Sequence, residues 1–451
     1  MEAFVNSSFG TFIAFLFARH FTAPSWQSFV LLSYGWALSR SRHTIANYIW
    51  LSGGVKYKHF SRFYAFFNRA FLKVADKLWI AVLLLLDSIL PPKAALELTV
   101  DDTTRKKSGR KIQGASNYQN RAGSARQEYR TLWGLNFVYV IASLYWDKAG
   151  KTFKLALPVG LRIYLKEKVA AELKRPFHSR SALARHIIDF IIKTLPHRHF
   201  IIRADGGYST KKFLRHLPAQ AKVKGRFPIN SRLLGLQPKP PKNNLGRPTE
   251  KGKDLGTPQE WMQQDQGWSP HPEEEGAWIK TVIGIWHTIL PGVPIKVVAV
   301  WRKGALPADK RSGKKELEAF FSTDTSLTEV QTLQHYSQRW DVEIDIRDAY
   351  AYYGLGKDQC RNLDRIYAVN SFRILMATCR TLWFVRYFEE RQLKLKKHRP
   401  WYRLKQHPTQ LDIISAAHEA FVIEGVSPVP RFTPGMGEIP QGQEEAWQEA
   451  A

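Results

Sequence analysis

The run Phe200-Ile201-Ile202-Arg203-Ala204 stops at Asp205-Gly206-Gly207, and just before it Leu183, Ile187, Ile188, Ile191 and Leu195 recur on one face of Ser181–Leu195. Apolar residues at helical spacing, then a short apolar run cut by Asp-Gly, describe a helix feeding a buried strand. The texture upstream is β-rich. Leu96–Val100 reads as a short strand ending in Asp101-Asp102-Thr103-Thr104, and Leu132–Tyr145 and Phe153–Leu165 as apolar strands about a turn at Asp147–Lys151. Three strands, a helix and a fourth strand impose an α/β order with acids at two strand ends.

The rest of the chain divides around that core. Residues 1–92 read as helical: Trp26, Phe29, Val30, Tyr34 and Leu38 share one face, and Phe60, Phe63, Phe67, Ala70 and Phe71 another. Arg40, Arg42 and His43 at a joint between helices suit a small DNA-binding module; an ordinary helical bundle with a basic wet face suits them equally. Residues 210–327 read as a β-rich insertion, with Trp278–Ile289 and Ile295–Arg302 as strands and Gln237–Pro258 as a basic loop. Leu327–Tyr353 is predicted as one long helix and Ser371–Phe388 as another. Residues 389–424 form a basic region, in which Arg391–Lys405 carries Lys396 and Lys397 and no acid, and 425–451 a disordered tail.

Charge limits the partners. Lys and Arg number 67 against 39 Asp and Glu, a net +28, while 44% hydrophobic residues exclude a wholly disordered chain. Such an excess calls for a polyanion, by default nucleic acid, since each phosphate neutralised releases counterions. Cys360 and Cys379 are too few for a disulfide framework and are not spaced as a zinc ribbon, which favours a reducing, cytoplasmic setting. Leu78–Leu90, broken by Asp87 and ended by Pro91-Pro92, falls short of the ~20 residues a membrane span needs, and no basic n-region of a secretory signal opens the chain.

Three acidic positions carry the candidate chemistry: Asp101-Asp102, Asp205 and, inside the long late helix, Glu343. Phosphodiester cleavage or transfer uses two hard cations about 4 Å apart, and carboxylates suit Mg²⁺. Any one of these acids alone is more simply a solvated surface group. Tyr336, Arg339, Glu343 and Tyr350, however, fall three, four and seven residues apart and form one stripe. The stripe is a poor core face, because its charges would be buried, but a reasonable lining for a channel that takes metal and DNA. A plain surface face with an Arg339–Glu343 pair is the simpler alternative.

Tyr336-Ser-Gln-Arg339-Trp-Asp-Val-Glu343 resembles the Y-x2-R-x3-E-x6-K motif of bacterial DDE-type insertion-sequence transposases. The likeness extends to Ser322-Thr323-Asp324, Arg347-Asp348-Ala349 and Gly354-Leu355-Gly356. Asp101-Asp102-Thr103-Thr104 with Lys107 and Gly109 is similar to that family's first catalytic segment, and Arg203-Ala204-Asp205-Gly-Gly-Tyr208 to its second. Gly246-Arg247-Pro248 resembles a basic loop common there.

The resemblance implies a ribonuclease-H-like catalytic core, a mixed sheet with flanking helices, over 93–209 and 328–388. It implies two Mg²⁺ ions, with Mn²⁺ as a substitute, and Asp205 and Glu343 as the second and third ligands. Asp101 or Asp102 is the first; they point to opposite strand faces, and Asp101 is favoured. The implied DNA contacts are Tyr336, Arg339, Arg347, Tyr350, Lys357, Arg247, Lys396 and Lys397. The implied reaction is cleavage at the inverted-repeat ends of an element and transfer of its 3′ ends to target DNA, by a homodimer that pairs two ends. One departure stands out: Tyr350 occupies the place of the motif lysine. It motivates a second reading, a weakened or domesticated relative that only binds DNA. A basic scaffold without chemistry is the third.

Overall fold

The computed structural model describes residues 1–40, 42–119, 131–236, 252–264, 266–304, 315–393, 395 and 407–426. The described residues of 1–92 are mainly helical, as α1 (Glu2–Asn6), α2 (Ser8–Phe17), α3 (Ala23–Leu38), α4 (Ile45–Leu51), α5 (Phe60–Phe66) and α6 (Leu72–Ile89). Local chemistry starts several of them: the Ser7 and Thr44 hydroxyls accept from Gly10 and Asn47 N–H and so cap α2 and α4. A π-helical turn, Phe67–Phe71, joins α5 to α6.

The sheet follows, as β1 (Leu96–Lys106), β2 (Ser116–Gln119), β3 (Thr131–Lys148) and β4 (Lys151–Tyr164). After α7 (Glu167–Glu172) and α8 (Arg180–Thr194) come β5 (Phe200–Ala204), α9 (Lys211–Leu214) and β6 (Ala221–Arg226). Then come α10 (Pro258–Trp261), β7 (Ser269–Pro270), β8 (Ala277–Ile285), β9 (Pro294–Arg302) and β10 (Leu317–Ser322). The chain continues with α11 (Glu329–Ser337), α12 (Trp340–Asp348), α13 (Leu363–Tyr387) and α14 (Gln410–Ile423).

Among the described residues the ten strands form a single mixed sheet, ordered β2-β3-β1-β5-β6-β10-β9-β8-β7 with β4 also paired to β3. Strands β1, β5 and β6 run parallel, and α8 makes the crossover from β4 towards β5. Of the strands of 210–327, β6 joins this sheet by parallel pairing with β5, and β10, β9, β8 and β7 extend it from there.

Three elements differ from the sequence expectation. Strand β1 does not end at Val100 but runs to Lys106, because β3 pairs with it past the point where β5 stops. The helix expected over Leu327–Tyr353 is broken between Ser337 and Trp340, then closes in a π-helical turn over Ala349–Tyr353. That turn ends at Gly354 with φ 87°, where a Cβ would come within 2.2 Å of the His43 Cβ, so only glycine fits. The helix expected from Ser371 starts earlier, at Leu363, where the Asn362 side chain accepts the Arg365 N–H at 3.0 Å.

Helix α13 is buried on nearly all sides, which marks a central helix. It joins the N-terminal helices to the sheet. Phe372 meets Phe29, Phe67 and Phe71 edge-on, with ring centroids 5.8, 5.5 and 6.0 Å away. On the other side the Thr378 hydroxyl donates to the Pro158 carbonyl of β4. The helices of 1–92 therefore share one apolar core with α13 and the sheet. Among the described residues no helix is long and apolar enough to cross a membrane.

Truncating Phe372 to alanine should cost about 3–5 kcal/mol, as for other buried aromatics. Because the core is shared, urea should unfold the variant in one transition by both far-UV circular dichroism and tryptophan fluorescence. Two separated transitions would show that the helical region and the sheet do not stabilise each other.

Candidate active site

Strand pairing creates the site. Parallel pairing of β1 with β5 runs from Leu96 opposite Phe200 to Val100 opposite Ala204, and the next residues are Asp101 and Asp205. Both carboxylates thus leave neighbouring strands at the same level. Asp205 also opens a short 3₁₀ turn, Gly206–Tyr208, in which the Gly207 Cβ position is open space.

The broken helix supplies the third group. A capping box, with Thr328 and Gln331 each bonding the other's backbone N–H, starts α11. At its far end the Tyr336 hydroxyl donates to Asp205 Oδ1 at 3.4 Å. Arg339 donates to Asp101 Oδ2 at 3.2 Å and to Glu343 Oε1 at 2.7 Å. One guanidinium therefore bridges the first-strand acid and the helix acid.

Burial pushes Asp101 up to about 6, although the Asp102 backbone N–H and Arg339 act against it; the neighbouring Asp205 adds to the rise. Asp102 points to the other face, where Asn136 donates to it at 2.9 Å, the Arg180 guanidinium lies 3.2 Å away and the Tyr208 hydroxyl 3.4 Å away. The two neighbours thus have separate surroundings, and only Asp101 faces Arg339.

The remaining positions singled out in the sequence fall differently. Tyr350 does turn toward β1: its hydroxyl bonds the Thr103 hydroxyl at 2.6 Å and its ring lies under the Arg105 guanidinium at 4.8 Å. Arg347 is exposed and pairs with Asp348 at 3.4 Å. Lys357 lies beyond the helix end at Gly354 and donates to the Ala351 carbonyl at 3.4 Å. Arg247, Lys396 and Lys397 lie outside the described residues.

Two further residues shape the site and were not read from the sequence. Asp345, wholly buried, accepts from Tyr139 at 2.7 Å and Tyr353 at 3.0 Å, and burial pushes it up to about 7 despite both bonds. Tyr139 sits opposite Asp101 in the β1–β3 register, so this contact ties α12 to the strand beside the acid. Arg203, fully buried, reaches from β5 to Glu97 and to the break between α11 and α12. Its signal in the sequence is a lone charge inside an apolar strand, two residues before Asp205 and so on the same face.

The donor set suits a hard cation. Asp101, Asp205 and Glu343 offer carboxylate oxygens only, and the cleft between Asp101 and Glu343 already accommodates a guanidinium. Among the described residues no three potential ligands close on a single ion, so this is not an all-protein cage. Mg²⁺ rarely needs one, since it keeps several waters and binds through one or two carboxylates.

Residues 178–379 match the family model described as the transposase DDE domain. The matched span contains Asp205 and Glu343. Asp101 lies outside the match and is joined to it by strand pairing. No curated protein matches the chain.

The raised Asp101 sets a pH test. Its folded value of about 6 exceeds the ordinary 3.8, so the stabilisation it confers when protonated is complete below about pH 4 and lost as pH rises to about 6. Asp101→Asn stays neutral throughout. It should be more stable than the parent by roughly 1–3 kcal/mol at pH 8 and indistinguishable below pH 4, by urea denaturation at both pH values. A variant less stable at pH 8 would mean that Arg339 outweighs burial.

Proposed function

We propose that this chain is a DNA transposase of the insertion-sequence type, which binds the inverted-repeat ends of an element, cleaves there with two divalent metals and transfers the 3′ ends to target DNA. The observation that carries the reading is the gathering of Asp101, Asp205 and Glu343 by Tyr336 and Arg339, from segments 238 residues apart in the Asp101–Arg339 contact. The order β4-β3-β1-β5-β6, with three parallel strands and the crossover helix α8, supports a ribonuclease-H-like core. The transposase domain match and the charge of +28 agree with a DNA substrate.

In this reading Asp101, Asp205 and Glu343 hold the ions. Divalent cations bound there would supply positive charge to activate water and to steady the leaving oxygen. Tyr336 orients Asp205, and Arg339, released from the carboxylates, is left facing the phosphate. Residues 1–92 contribute DNA recognition: between Glu2 and Asp76 they carry no acid. Pairing of two element ends calls for a homodimer. The competing reading, a relative that binds DNA without cutting it, draws on Tyr350; the contacts of Tyr336 with Asp205 and of Arg339 with Asp101 and Glu343 favour the cutting enzyme.

Asp205→Asn and Glu343→Gln should each lower Mg²⁺-dependent cleavage of a duplex from the DNA flanking the gene by about a thousandfold or more, with binding nearly unchanged. Asp101→Asn should behave alike and Asp102→Asn should retain cleavage. Gel-based nicking and mobility-shift assays decide it. Near-normal cleavage by either of the first two variants removes the proposed metal site, and binding without cleavage by the parent favours the competing reading.

A further inference from the structure

We infer that Arg203 is a positioning residue that makes and holds the break in the α11–α12 segment, and with it the placement of Arg339 and Glu343. The inference rests on the transposase reading for its effect on activity, and on geometry alone for its effect on the helix.

In an unbroken α-helix the His335 carbonyl would accept the N–H of Arg339, four residues on. Here the Arg339 N–H turns back to the Tyr336 carbonyl at 2.9 Å instead. The His335 carbonyl, set free, accepts Arg203 Nε at 2.7 Å. The same guanidinium donates Nη2 to Gln338 Oε1 at 2.6 Å, the residue at the centre of the break. A side chain inserted into the helical ladder is a recognised cause of a sharp kink.

The guanidinium is itself fixed. Arg203 is fully buried, and its third corner, Nη1, donates to Glu97 Oε2 at 2.9 Å. Glu97 in turn accepts the Tyr145 hydroxyl at 2.8 Å. Burial disfavours ionised Glu97, but the hydrogen bond and charge of Arg203 outweigh it and hold the carboxyl below its ordinary range. A planar fork with three fixed partners has little freedom to follow a moving helix. Arg203 lies two residues before Asp205 in extended backbone and so on the same face; β5 and the residue just past its end thus present a clamp to the helix and an acid to the site.

Gln338→Ala removes the clamp's outer contact while leaving the Arg203–Glu97 pair intact. It should speed hydrogen exchange of the 339–343 amides by about tenfold and lower cleavage at saturating DNA about tenfold, with KM and Tm little changed. Gln338→Glu, which keeps an acceptor for the guanidinium, should restore both relative to the alanine variant. Arg203→Met should be more severe; where it fails to fold, the Gln338 pair decides. Unchanged exchange and unchanged kcat in Gln338→Ala would overturn the inference, as would a loss of activity that Gln338→Glu does not reverse. Should the parent not cleave DNA, the transposase reading fails while the exchange comparison still tests the clamp.

Discussion

The register between β1 and β5 is the constraint on which the site depends. Because Val100 lies opposite Ala204, Asp101 and Asp205 emerge side by side with no loop between them to position. A slip of one residue would turn Asp101 away and bring Asp102 into its place, since side chains alternate across a strand. Leu96, Leu98 and Val100 are wholly buried on β1, as are Phe200 and Ile202 on β5. Apolar burial therefore fixes the register, and the register fixes the acids. The unfavourable environment of Asp101 is tolerated because that packing holds it in place.

The same packing extends to the helical region. Trp36 of α3 donates to the Tyr353 carbonyl at 3.1 Å, at the end of the segment that carries Glu343. Below it Arg373 and Asp358 are both fully buried, 3.4 Å apart, and Lys107 reaches Asp358 at 3.2 Å from just past β1. Arg373 also donates to the Tyr48 hydroxyl at 3.1 Å and to the His43 carbonyl. Breaking such a buried network by deleting one charge is far costlier than a surface pair, because the partner is left unpaired. The N-terminal helices, the end of β1 and the loop after the motif segment are thus one mechanical unit.

Much of this was legible in the sequence because it rests on local patterns. Phe200–Ala204, the β3–β4 hairpin, and the run of helices before residue 92 follow from periodicity and from turn residues. The acids stood out because each sits where an apolar pattern stops or where a stripe would bury charge. What was not legible depends on partners distant in the chain. The extension of β1 to Lys106 comes from β3, and the break at Gln338–Arg339 from Arg203, more than a hundred residues away. No helical periodicity reports that a carbonyl has been claimed by another element. Likewise Asp345 looks like one more surface acid until Tyr139 and Tyr353 are seen to enclose it.

Tyr350 shows how a departure from a motif is accommodated by its neighbours. Burial raises its hydroxyl to about 12, against the Thr103 bond, so it is a neutral phenol in any working buffer. A lysine in its place would give up the Thr103 hydrogen bond and set an ammonium against the Arg105 guanidinium. With tyrosine, the same guanidinium is attracted to the ring face instead, at 4.8 Å. A cation therefore stands beside the motif position, delivered by β1 and not by the helix. Because β1 also carries Asp101, that charge is fixed relative to the first acid by four residues of continuous strand, a shorter and stiffer link than the helix would provide.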